Sequence, residues 1–181
     1  ILADALTILE KLGTLDVNLM YIGAKNNVFN SHVEFFSKMK KGTLYGLTPL
    51  VNETACGPDF YEEAKKSGHY IELDPSMSME EAKEYANKMD VLYTDTWVDM
   101  EFFNNPAYQK QKEETLAKMM PYQLNGDFTK DSKAIVFHDM PMHVGFEISQ
   151  DVVDKTPDHI LDEAENRRHA EKAVMYTLLN S

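Results

Sequence analysis

The sequence predicts a three-layer α/β domain, a parallel sheet flanked by helices, from two observations. Five short, mostly apolar runs recur along the 181 residues, as expected of strands that are covered on both faces. Amphipathic, helix-like stretches separate these runs, and such alternation is typical of a parallel sheet wrapped by helices. Because no repeat, low-complexity tract or flexible linker interrupts the pattern, we predict one domain over residues 1–181.

The first helix and the five strands follow from local patterns. Apolar side chains stand at helical spacing from the first residue, and Gly13 provides a stop signal. Since this helix opens without a Met or a capping residue, we expect the chain to be a piece of a longer protein. The strands are predicted at residues 19–23, 44–48, 70–73, 91–94 and 134–137.

The remaining helices are predicted between and after the strands. We expect them at about residues 26–40, 58–67, 78–88 and 107–118. Pro58 suits a first helical turn, and Ser78 with Glu81 suits a capping box. A last helix is predicted to start with Asp162 and Glu165 as its cap. Its apolar side would comprise Ala170, Ala173, Val174, Thr177 and Leu178.

Composition excludes several classes of partner. The 18 Lys and Arg against 30 Asp and Glu give a net charge of -12, which repels nucleic acid and anionic lipid surfaces. The single cysteine, Cys56, cannot form an internal disulfide, and no apolar run approaches the ~20 residues of a membrane span. We therefore expect no nucleic-acid or membrane partner, and a cytoplasmic location.

Ligands of such folds bind beyond the carboxyl ends of the strands, so two acidic or amide-rich turns are candidate sites. After the first strand, the amides of Asn26 and Asn27 suit a carboxylate, although an Asn helix cap explains them as well. After the fourth strand, Asp95, Asp99 and Glu101 could hold an ammonium group or a divalent metal. Solvated surface acids are the alternative in so acidic a chain.

Two further candidates follow the fifth strand and open the last helix. His138, Asp139 and His143 are metal-ligand types, but they lack helical i, i+4 spacing and Pro141 indicates an irregular loop, so we predict no metal site. Arg167 would lie at a helix start, where the helix dipole disfavours a cation. That placement favours an anionic partner or a catalytic role.

Five segments carry a family resemblance, in order and over essentially the whole chain. They are Ala3-Asp4-Ala5-Leu6-Thr7-Ile8, Tyr21-Ile22-Gly23 with Asn26-Asn27-Val28, Thr94-Asp95-Thr96-Trp97-Val98, Tyr122-Gln123-Leu124-Asn125, and Asp162-Glu163-Ala164-Glu165-Asn166-Arg167. Together they resemble the amino-acid-binding, C-terminal domain of the ornithine/aspartate carbamoyltransferases. The chain looks like a member of an ornithine-carbamoyltransferase-like subgroup with a His-Asp-Met-Pro loop.

The resemblance implies a Rossmann-like domain that transfers a carbamoyl group from carbamoyl phosphate to an amine, without a cofactor. The carbamoyl-phosphate domain would be missing from this piece, and the whole protein would be a homotrimer or a multiple of trimers. Asn27 would bind the substrate α-carboxylate and Asp95 its α-ammonium, while His138 and Arg167 would border the carbamoyl carbonyl. The other implied substrate-binding residues are Asp99, Met100, Met140 and Pro141.

Two departures from the family pattern concern the acceptor. Asp139 stands where ornithine enzymes have a cysteine, and Asp99-Met100-Glu101 replaces their Ser-Met-Gly. Added carboxylates attract positive charge, so we expect an amine acceptor other than ornithine, with Asp139 orienting or deprotonating the attacking amine.

Two other classes remain open at this stage. One is a catalytically silent amino-acid-binding or regulatory relative, although Arg167 is retained. The other is a dehydrogenase domain, against which the turn after the first strand lacks G-x-G-x-x-G.

Overall fold

A five-stranded, all-parallel sheet forms the centre of the computed structural model, which describes residues 1–98 and 102–181 and the backbone of residues 100 and 101. The strands are β1 (Asn18–Lys25), β2 (Thr43–Val51), β3 (Tyr70–Glu72), β4 (Val91–Thr94) and β5 (Ile135–His138). The helices are α1 (Leu2–Leu12), α2 (Asn27–Met39), α3 (Pro58–Lys65), α4 (Met79–Ala86), α5 (Met100–Phe103), α6 (Gln109–Met119), α7 (Gly126–Thr129), α8 (Gln150–Lys155) and α9 (Pro157–Leu179). The predicted fold class and all five strands are confirmed.

The order of the strands places a crevice between β1 and β4. The sheet runs β3-β2-β1-β4-β5, so the chain moves outward from β1 on one side and then returns to build the other side. In open α/β sheets, a ligand binds outside the carboxyl ends of the strands at such a reversal. The residues that directly follow β1 and β4 therefore border the expected site.

The two faces of the sheet support two separate cores. Along β1, Leu19 and Tyr21 join one apolar cluster, whereas Met20 and Ile22 join the other, and all four side chains are fully buried. This alternation is the period of two that a strand imposes. Because both faces are covered, the strand sequences are almost continuously apolar.

Most local start and stop signals act as predicted. Gly13 ends α1 with a φ of 72°, in the left-handed region that glycine adopts without steric cost. Pro58 occupies the first turn of α3, and Ser78 and Glu81 form a reciprocal capping box on α4.

The start predicted for the last helix is wrong. α9 begins at Pro157 and is one unbroken helix of 23 residues, so Asp162, Glu165 and Arg167 lie in its interior. Pro157 lacks the N–H that a first turn leaves unpaired, and the two acids pair with cations instead, Asp162 with Lys11 and Glu165 with Arg168. The helix-dipole argument for the arginine does not hold at an interior position.

The apolar side of α9 is only partly covered in this chain. Ala170, Ala173, Val174, Thr177 and Leu178 line a groove of about 430 Å³ together with Leu2 and Leu6 of α1, and residues 171–181 are all exposed. Within the described residues, no helix is long and apolar enough to cross a lipid bilayer.

Candidate functional site

A buried amide and a buried acid meet at the carboxyl ends of β1 and β4. The Asn26 side chain donates from Nδ2 to Asp95 Oδ2 at 2.7 Å, and its Oδ1 accepts the Phe29 N–H at 2.9 Å, which caps α2. Asp95 Oδ1 also accepts the Thr96 N–H at 2.7 Å. The Asp95 and Asn26 side chains are each over 90% buried, so these hydrogen bonds fix the orientation of both.

The structure separates the two asparagines that the sequence could not distinguish. Asn27, the predicted carboxylate ligand, is exposed at the rim, where its N–H donates to Thr54 Oγ1 at 3.2 Å. Asn26 instead is the helix cap and the partner of Asp95. The cap reading of this turn therefore applies to Asn26, and the amide of Asn27 lies outside the buried network.

Both ring nitrogens of His138 have polar partners within the protein. Its Nδ1 accepts the Met140 N–H at 3.0 Å, which places the proton of the neutral ring on Nε2. Nε2 lies 3.1 Å from Glu147 Oε1, and both side chains are about 99% buried. Because both ring nitrogens have a partner within the protein, the ring holds the loop that follows β5.

The residues that follow this histidine open into a cleft of about 550 Å³. Asp139 is half-buried there, while Pro141 is exposed and does not line the cleft. Burial, and then the charge of Asp95, raise the pKa of Asp139, and Arg167 acts in the opposite direction. The side chains that border the cleft include Asp4, His138, Asp139, Met140, Glu163 and Arg167.

Three ionisable groups to which the sequence assigned no role lie at this cleft: Asp4 and Glu163 border it, and His32 contacts Asp4. His32 is fully buried, and its Nε2 lies 3.3 Å from Asp4 Oδ2 without the direction of a hydrogen bond, so the two groups form an ion pair when the ring is protonated. Burial acts to raise the pKa of Asp4, but His32, with a smaller contribution from the amino group of Ile1, outweighs it and the pKa falls to about 2. Burial and the charge of Asp4 raise the pKa of Glu163 well above its usual range.

The remaining predicted positions are settled only in part. Asp99 and the side chain of Met100 lie outside the described residues. His143 stacks on Phe103 with ring centroids 3.6 Å apart, and its backbone N–H donates to Glu147 Oε1, the same oxygen that contacts His138. Among the described side chains, no three His, Cys, Asp or Glu are arranged to hold a metal ion.

Asp95, Asp139 and Arg167 thus share one region at the strand ends, although they come from three separate elements. Residues 15–178 match the family model of the aspartate/ornithine carbamoyltransferases, Asp/Orn binding domain. The chain belongs to this family.

Relatives of this carbamoyltransferase domain are similar over its whole length. An ornithine carbamoyltransferase of Chlorobaculum tepidum is 35% identical over 186 residues, covering 99% of this chain and 50% of that protein. One from Pyrococcus horikoshii is 36% identical over 98% of the chain. The chain spans about half the length of the curated relatives it matches.

Solved structures of the family share the fold. The ornithine carbamoyltransferase of Pyrococcus furiosus superposes with a TM-score of 0.76 at 31% identity, covering 96% of this chain and 53% of that one. The anabolic enzyme of Campylobacter jejuni gives 0.80 at 25% identity, covering 98% and 57%.

Asp4 and His32 could have been found from the pattern of apolar positions in this carbamoyltransferase domain. Asp4 stands beside Ala5 and one turn before Ile8, on the face of α1 that is buried. His32 stands between the core residues Phe29 and Phe36 of α2. A charged or titratable residue on an apolar face signals a buried partner, but the pattern does not say which one.

Proposed function

We propose that this chain is the acceptor-binding half of a carbamoyltransferase that moves a carbamoyl group from carbamoyl phosphate to an amine of an amino acid or diamine. The observation that supports this most is the cleft in which Asp139 and Arg167 face the same space. The rest of the protein would supply the carbamoyl-phosphate domain, and the complete cytoplasmic enzyme would be a homotrimer or a multiple of trimers.

The proposed reaction needs a base and a cation at one carbonyl carbon. The amine nitrogen forms a bond to the carbamoyl carbon, the carbon–oxygen bond to phosphate breaks, and phosphate leaves. Arg167 stabilises the negative charge that develops on the carbonyl oxygen. Asp139 orients the amine and accepts the proton that the nitrogen loses, and a raised pKa makes it a stronger base than a solvated aspartate.

The charges at the site favour an acceptor with more positive charge near the loop than ornithine brings. The pKa of Asp139 responds to both Asp95 and Asp4, so three carboxyl groups act on the same space. Unit charges 4 Å apart interact by about 4 kcal/mol at an effective dielectric of 20. We therefore propose a diamine, or a diamino acid of different length from ornithine, with Asp99, Met100 and Met140 completing the pocket.

A panel of amines assayed with the intact protein and carbamoyl phosphate tests the proposal. We expect a diamine or a non-ornithine diamino acid to give the highest kcat/KM. Ornithine as the best acceptor would overturn the specificity but leave the transferase function intact. If no amine is carbamoylated while one still binds, the protein is the silent amino-acid-binding relative instead.

The role of Asp139 has its own test. Its pKa is raised, so kcat/KM should fall as the pH drops through that value and the base becomes protonated. We expect Asp139→Asn to lose the acid limb of the pH profile and to lower kcat by roughly 10²–10⁴-fold. Asp131→Asn, at an exposed turn, is the matched control and should keep both. An unchanged acid limb in the Asp139 variant would contradict the assignment.

A further inference from the structure

The carboxyl group of Glu163 joins α9 to the end of the sheet. Its Oε2 accepts the His138 backbone N–H at 3.0 Å, and its Oε1 accepts the Tyr93 hydroxyl at 3.3 Å. Glu163 is 3% exposed, so no water competes for these bonds. One helical turn later, Arg167 projects from the same side of α9 into the same cleft.

The bond to His138 acts at the point where β5 becomes the loop that carries Asp139. His138 is the last paired residue of β5, opposite Thr94 of β4. Its ring already fixes the far side of the loop, through Met140 and Glu147. Among the described side chains, the Glu163 carboxyl is the one that hydrogen-bonds this strand end from α9.

We propose that Glu163 is a positioning residue that sets the distance between the Asp139 carboxyl and the Arg167 guanidinium by clamping α9 against the end of β5. This inference rests on the proposed function, since it concerns how the cation and the base of that site are held together. Glu163 itself touches neither reacting group. Its carboxyl group holds α9 at a fixed position along β5 through the hydrogen bond from His138.

The surroundings of Glu163 favour a neutral carboxyl group. Asp4 is ionised and paired with His32, so a second negative charge beside it is unfavourable. A neutral acid keeps one oxygen free to accept the backbone N–H, and a glutamine amide oxygen can do the same at equal charge. The titratable or charged side chains that face this position are Asp4 on α1, His32 on α2, Tyr93 and Asp95 at β4, Asp139 after β5, and Arg167 on α9.

The test measures how strongly Arg167 acts on the pKa of Asp139 in four backgrounds: the wild type, two variants of Glu163 and one control variant. In the intact protein, Arg167→Met should raise the pKa of Asp139, followed by carboxyl ¹³C NMR, because the arginine lowers that pKa. In the Glu163→Gln background, Arg167→Met should raise the pKa of Asp139 by as much as in the wild type. In the Glu163→Met background, that increase should be at most half as large. Glu165→Gln, exposed on the same helix, is the matched control and should keep the full shift.

Activity provides a second readout. We expect Glu163→Met to lower kcat at least tenfold with little change in KM, and Glu163→Gln to retain kcat within about threefold. The inference would be overturned if Arg167→Met raised the pKa of Asp139 in the folded Glu163→Met protein by as much as in the wild type. If that protein does not fold, Glu163→Asp replaces it, since its shorter side chain should weaken the bond to His138, and a full shift there is equally decisive.

Failure of the proposed function would look different from failure of this inference. A wild-type protein that carbamoylates no amine ends the proposed function. The NMR shift of Asp139 needs no turnover, so it still decides whether Glu163 couples the two groups.

Discussion

Replacing His32 by leucine tests the electrostatics of the buried pair at the cleft. The Asp4 carboxyl is 2% exposed, and its pKa lies at about 2 instead of 3.8. Roughly two pKa units correspond to about 2–3 kcal/mol at 1.36 kcal/mol per unit. A stranded carboxylate can escape by taking up a proton, which limits the loss to about 7 kcal/mol at pH 7, where the pH lies about five units above the wild-type pKa. We therefore expect His32→Leu to lower the free energy of unfolding by about 2–7 kcal/mol.

The sign of the pH dependence follows from the direction of the pKa shift. Because the folded pKa of Asp4 is lowered, its stabilisation is present above about 3.8 and is lost as the pH falls toward 2. The difference between wild type and His32→Leu should therefore be largest near neutral pH. It should narrow as the solution becomes acidic enough to protonate Asp4 in both proteins.

Urea unfolding of the intact protein at pH 7 measures the loss. Leucine also removes a ring that meets Tyr93 edge-on, with centroids 4.4 Å apart. The matched control is therefore the double variant Asp4→Asn with His32→Leu, which lacks the same ring but strands no charge. We expect the double variant to be more stable than His32→Leu alone. A single variant that loses less than about 1 kcal/mol, or a double variant that recovers nothing, would refute the reasoning.

Three further predictions concern the fold and the edge of the site. Gly46→Ala should lower the free energy of unfolding by about 1–3 kcal/mol in denaturant, because its Cβ would stand 2.7 Å from the buried Phe29 ring, whereas Gly57→Ala meets nothing within 4 Å and should be nearly neutral. Ser78→Ala removes a capping box and should cost about 1 kcal/mol in the same assay, and an unchanged midpoint would contradict it. Asn26→Ala should cost about 1–3 kcal/mol and raise KM for the amine, and an unaltered KM would separate this side chain from the site.

The sheet was predictable because its signals are local. Each strand is a short apolar run between turn residues, and each of the confirmed helix signals, at Gly13, Pro58 and Ser78, acts within one turn of its own position. The order of strands also places Asp95 and Asp139 near each other, since carboxyl ends of parallel strands share one edge. These features need no knowledge of distant contacts.

The sequence could not resolve contacts between residues that lie far apart along the chain. Asn26 and Asn27 are the same residue type at adjacent positions, and only the contact with Asp95, 69 residues away, shows which one faces inward. The sequence predicts His138 beside the carbamoyl carbonyl, but it does not show that Glu147 lies 3.1 Å from its Nε2. Side-chain direction at a loop cannot be derived from periodicity, because a loop has none.

The unpredicted network at the cleft also explains how an acidic chain can concentrate carboxyl groups at one site. His32 lowers the pKa of Asp4 against the effect of burial, whereas burial and the charge of Asp4 raise the pKa of Glu163. Burial and then the acidic neighbours raise the pKa of the half-buried Asp139 carboxyl, and Arg167 lowers it. If His32 were replaced, the pKa values of Glu163 and Asp139 would both change, because the charge of Asp4 acts on each of them. The pKa of Asp139, the proposed base, therefore depends on the whole cluster. Variants of His32 should shift the acid limb of the pH profile of kcat/KM as well as the stability.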